Sequence, residues 1–151
     1  MEPAYWQSRL AAMRSVNKGL IVCPRPDLST ALVDIVEWRI RAHDGLRLWG
    51  LHAQSNFHER PRGARVRFIG CSEVPEIDLE PIPEGVLDLV FPIPPGRKLE
   101  DRVLDILRIW QVVAAHSSVE PSTIELLAPV HEGRDGDEFM IATELIASGL
   151  A

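Results

Sequence analysis

At 151 residues, with 46% hydrophobic and 25% charged residues, the chain has the size and composition of one globular domain, and disorder is excluded. Its formal net charge of -6, from 22 acidic against 16 basic residues, opposes phosphate backbones and anionic lipid surfaces, so no nucleic acid and no membrane is expected as a partner. Cys23 and Cys71 stand in unrelated contexts, which excludes a disulfide framework and fits buried thiols; with no signal-peptide pattern and no membrane-length apolar run, a cytoplasmic location is expected.

Residues 3–16 read as a helix, because Trp6, Leu10 and Met13 recur at i, i+4 and i+7. Asn17 and Gly19 suit its end, and residues 23–27, with Pro24 and Pro26, read as an extended linker. Residues 1–30 are therefore expected to be a helix and linker that dock on a single domain spanning 31–151. From Leu32 the period becomes two: Val36, Trp38 and Ile40 alternate with Glu37, Arg39 and Arg41, the pattern of a half-buried strand. His43, Asp44 and Gly45 supply turn chemistry, and residues 46–53 return as a second strand.

Residues 54–63 are polar and loop-like, and 64–70 form a third strand. Residues 73–85 carry five acids and three prolines and read as a loop, with a short strand conceivable at 77–79. Residues 86–93 are a buried strand ended by Pro92, Pro94 and Pro95. A helix follows from Leu99 to about His116, with Leu99, Val103, Ile106, Leu107, Trp110, Val113 and Ala114 on one face. Residues 123–127 form a last strand, and 137–148 a last helix closed by Gly149. The fold class is α/β: an N-terminal antiparallel hairpin followed by a short, mainly parallel sheet with helices.

Two segments carry a family resemblance. Residues 38–51 (WRIRAHDGLRLWGL) resemble the opening hairpin of α/β-hydrolases, in which a strand, an Asp-Gly turn and a strand ending in Leu-x-Gly precede the parallel sheet. Residues 101–127 resemble the helix before the nucleophile strand, with Val119, Glu120, Pro121, Ile124 and Leu126 in the places of a V-D-P-x-x-I-x-L phrase. The likeness is to the acetyl xylan esterase and dienelactone-hydrolase-like branches, and it implies a truncated α/β-hydrolase.

The catalytic parts that the resemblance implies are missing. A nucleophile elbow needs Gly-x-Ser-x-Gly, and Ala128, Pro129, Val130, His131, Glu132 and Gly133 stand there instead, with Val130 in the serine's place. The strand at 64–70 is followed by Cys71, Ser72 and Glu73 rather than a run of accessible N–H donors for an oxyanion, and only Ala151 follows the last helix where the acid and histidine would come. The resemblance thus implies a non-catalytic relative whose last strand is left unpaired, and a homodimer or partner protein at that edge is expected.

The remaining constellations have plainer readings. Cys71 and Ser72 at a strand end, with His131, are the catalytic candidates of a rebuilt site; a buried Cys71 is the plainer reading. His131, Asp135 and Asp137, with Glu132 and Glu138 nearby, are candidate metal ligands, against a solvated loop in which Asp135 or Asp137 caps the next helix. His43, His52 and His58 read as turn and surface residues, and Gly96, Arg97 and Lys98 as an ordinary helix start rather than a phosphate site. The four tryptophans, Trp6, Trp38, Trp49 and Trp110, are assigned to the core, and no cofactor is expected. Non-catalytic assembly leads; a small-molecule binding module and an esterase-like hydrolase with a rebuilt site are the alternatives.

Overall fold

A computed structural model describes residues 3–31, 33–55, 62–70, 85–116, 119–129 and 137–151. In chain order these form α1 (Pro3–Arg14), β1 (Ile21–Pro24), β2 (Val33–Arg41), β3 (Arg47–Ser55), β4 (Gly63–Ile69), β5 (Val86–Pro92), α2 (Leu99–Ala114), a 3-10 turn (Pro121–Thr123), β6 (Ile124–Leu127) and α3 (Asp137–Ala147). The described strands make one six-stranded sheet in the order β1-β2-β3-β5-β4-β6. β1, β2, β3 and β5 pair antiparallel in turn, whereas β4 pairs parallel with both β5 and β6. The fold is thus the expected hairpin leading into a parallel unit. The possible strand at 77–79 lies outside the described residues.

The hairpin forms where the alternation and the Asp-Gly turn place it. β2 and β3 register from Val33 opposite Ser55 to Arg41 opposite Arg47, and Gly45 takes the positive φ of 87° that closes the turn. One expectation fails here. Residues 21–24 are a strand on the outer edge of β2, not part of a linker, with Cys23 opposite Glu37. Proline is tolerated at such an edge because one side of the strand needs no ladder donor; a four-residue strand also shows too little alternation to be read.

One face of the sheet carries α2, flanked by α1 and α3. The main core joins Trp6, Leu10 and Met13 of α1, Trp38 and Ile40 of β2, Val66, Leu89 and Phe91 of the parallel strands, Leu104 and Leu107 of α2, and Leu145 of α3. Neighbours on both sides bury α2 beyond the expected stripe: Asp105 and Arg108 are buried in its middle, while Leu99 is exposed and Trp110 is only half-buried. The opposite face holds a smaller cluster of Val33, Ile35, Leu51, Ala53 and Val90. Trp49 points to that face and is 38% exposed, so it is not the core tryptophan expected.

Polar groups on that second face are paired. Glu37, expected to face solvent, is buried and accepts hydrogen bonds from Arg25 Nη1 at 3.0 Å and Arg39 Nε at 2.6 Å. Asp88, at the centre of β5, is buried and accepts from Arg65 Nε at 3.0 Å and Arg67 Nη2 at 3.1 Å. Two of the chain's arginines thus neutralise a buried carboxylate rather than forming a basic surface.

Candidate functional site

β2, β4, β5 and β6 run in the same direction, so their carboxyl ends, the turn after β2 and the first turn of α2 meet at one end of the sheet. Ligands of open α/β sheets gather at that end. The described part of it is an ionic network. Arg97, before α2, donates to both carboxylate oxygens of Asp105, at 2.8 and 3.0 Å, and reaches Asp44 in the hairpin turn. His43 Nε2 lies 3.0 Å from Asp101 Oδ1, and Arg9 of α1 lies 3.8 Å from the same oxygen. Tyr5 donates its hydroxyl proton to Glu100, which raises the tyrosine's pKa.

The network fastens α1, the hairpin turn and α2 to one another. Arg97 has no charge to spare for a phosphate, because two carboxylates already neutralise it, in keeping with an ordinary helix start. Its hydrogen bond holds the Asp44 carboxyl down at about 2. Burial raises the pKa of Asp105, and Arg97 opposes that rise.

The two carboxylates therefore act with opposite signs. Asp44 stabilises the fold above its ordinary value of 3.8, and that contribution is lost as pH falls from about 4 to about 2. Because its side chain is 40% exposed, solvent screening limits the contribution to less than about 1 kcal/mol. Asp105 costs stability when ionised, a cost relieved as it protonates. Thermal melts between pH 6 and pH 2 are expected to show a smaller acid loss in Asp44→Asn than in the wild type; equal slopes would mean that this ion pair contributes nothing.

His43 and Asp101 are the acid–base pair that the described residues bring together, across 58 positions of sequence. Nothing local signals it, since Asp101 reads simply as a first-turn helix acid. His52, read as a surface residue, is instead buried in β3, its ring edge-on to Trp38 at 5.7 Å. His58, Cys71, Ser72, His131 and Asp135 lie outside the described residues. Asp137 opens α3 and is exposed, and Glu138 beside it is buried, 3.8 Å from Arg102. Among the described residues, no three His, Cys, Asp or Glu side chains are grouped to hold a metal ion.

Beside Phe68, Ile93 and Ile106 lies a cavity of about 10 Å³, room for roughly one water molecule. Among the described residues no helix is long and apolar enough to cross a membrane.

No protein-family model and no curated protein matches the sequence. Solved structures do match. The acetyl xylan esterase from Paenibacillus sp. R4 superposes with a TM-score of 0.70 at 15% identity, over 83% of this chain and 50% of that one. Acetyl xylan esterase 1 from Thermoanaerobacterium sp. JW/SL YS485 superposes with a TM-score of 0.69 at 16% identity, over 83% and 49%. The chain has the fold of the acetyl xylan esterase branch of the α/β-hydrolases, as its hairpin and V-E-P segment imply, and it spans about half the length of these structures. On that fold, the connection from β6 to α3 is where a nucleophile elbow would stand. The sequence from Ala128 to Gly133 has no serine there.

Proposed function

We propose that this chain is a non-catalytic α/β-hydrolase-like domain that self-assembles through β6, with residues 1–30 docked on a single domain of 31–151 and a cytoplasmic location. The observation that carries the reading is the state of β6. It pairs with β4 along one edge, and its exposure alternates so that Glu125 and Leu127 face solvent, with Leu127 39% exposed. Among the described residues no strand pairs with its other edge, and such an edge with an exposed leucine is a template for another strand. A second copy of the chain is the occupant, because β6 offers the same edge to itself and an antiparallel pairing about a two-fold axis closes with neither β6 edge left open. Glu125 is the only charge on β6, so a register that sets Glu125 opposite Leu127 of the second copy, two residues away from the Glu125–Glu125 register, keeps like charges apart and each face on its own side.

The absence of serine between Ala128 and Gly133 supports the non-catalytic half of the reading, since a valine side chain cannot attack a carbonyl carbon. The test is the solution mass together with turnover of a short-chain ester. A dimer without turnover is expected. Hydrolysis abolished by Ser72→Ala or His131→Ala would overturn the reading in favour of a rebuilt active site.

A further inference from the structure

We propose that the cleft between β1, β2 and the last turn of α2 binds a small monocarboxylate with an apolar body. The cleft has a volume of about 370 Å³, within the range of small-molecule sites. It lies at the opposite end of α2 from the His43 and Arg97 network, and on the opposite edge of the sheet from β6. The site is therefore independent of the edge-pairing proposal.

Its shape and chemistry follow from the strand and helix around it. Val36 and Trp38 of β2 and Val112 of α2 form the apolar floor. Leu20 and Val22 form the outer wall, and they are 44% and 51% exposed, so the described residues leave apolar surface open here. Such surface is stabilised when an apolar ligand body covers it, at roughly 25 cal/mol per Å² removed from water. Within this floor Trp38 has its indole Nε1 buried and, among the described residues, without a hydrogen-bond partner.

Charge selects the head group. The described lining includes Lys18, His52 and His116 and, among the described residues, no Asp or Glu, in a protein of net charge -6. Lys18 is exposed at the rim and makes no ion pair among the described residues. The carboxyl end of α2 lies nearby and carries about half a negative charge, which alone would favour a cation. The full charge of Lys18 exceeds it, so a carboxylate paired with the ammonium while its body covers Val36 and Val112 is the best-matched occupant.

Calorimetric titration at low salt with 4-phenylbutyrate, its amide and the matching amine tests this. The carboxylate is expected to bind, the amide about tenfold more weakly and the amine not measurably. Lys18→Glu is expected to weaken the carboxylate about tenfold without lowering the melting temperature, because the Lys18 contact to Arg41 is made by its backbone oxygen. Ala115→Trp, at the mouth, is expected to abolish binding. Equal binding of acid and amide, preference for the amine, survival of binding in both variants, or no heat with the carboxylate at millimolar concentration would overturn the proposal.

Discussion

Gly50→Ala is expected to destabilise the fold by about 3 kcal/mol, lowering the melting temperature by roughly 10 °C. A Cβ at Gly50 would lie 2.5 Å from the carbonyl oxygen of Val90 and 2.7 Å from the Phe91 ring. The ring belongs to the main core, and the carbonyl is backbone of the strand paired with β3, so neither yields without moving β5. The third residue of the Leu-x-Gly phrase therefore has a packing cause: β3 meets the parallel unit so closely at this point that no side chain fits. Gly63→Ala is the comparison. Its added methyl would meet the exposed Thr123 side chain, with Oγ1 at 3.0 Å and Cβ at 3.3 Å, and a shift of a few tenths of an ångström there should hold the cost below about 1 kcal/mol. Chemical unfolding of the two variants distinguishes them, and a Gly50→Ala protein as stable as Gly63→Ala would disprove the close approach.

Arg108→Ala is expected to cost about 3 kcal/mol, from a cavity plus two carbonyls left without donors. Arg108 is 0% exposed. Its Nε donates to the Arg41 oxygen at the end of β2, and its Nη2 to the Val16 oxygen after α1, both at 2.8 Å. One α2 side chain thus ties the N-terminal helix and the hairpin to the centre of the domain. Burial lowers its pKa, and among the described residues Nη1 has no hydrogen-bond partner, so the bridge carries a desolvation cost. Arg108→Met separates these effects by keeping an aliphatic side chain while removing every donor. Its stability is expected to lie between wild type and Arg108→Ala. A methionine variant more stable than wild type would mean that the buried charge costs more than its two hydrogen bonds contribute.

The parts of the fold legible in the sequence are those whose signal is local. The Trp38, Ile40 and Leu48 alternation around Asp44 and Gly45 fixes a hairpin before any tertiary contact is known, and the spacing of Val103, Ile106, Leu107 and Val113 fixes α2. β1 escapes because it is four residues long, ends at Pro24 and gains its strand character only by pairing with β2. The buried arginine on α2 escapes because a charge within an apolar stripe reads as surface, and only the carbonyls of Arg41 and Val16 explain its position. The pairing of His43 with Asp101 depends on the hairpin turn reaching the first turn of α2. Cys71, Ser72, His131 and Asp135 fall outside the described residues, so the chemistry around them rests on the sequence alone.

β6 is proposed to join two copies of a domain that does no chemistry. Light scattering on the purified chain, with and without Leu127→Lys, tests it most directly. A charged edge residue opposes strand pairing, while position 127 is exposed and tolerates lysine within one subunit. A mass near twice 16.9 kDa is expected for the wild type and a folded monomer for the variant. A wild-type monomer, or a dimer indifferent to Leu127→Lys, would contradict it.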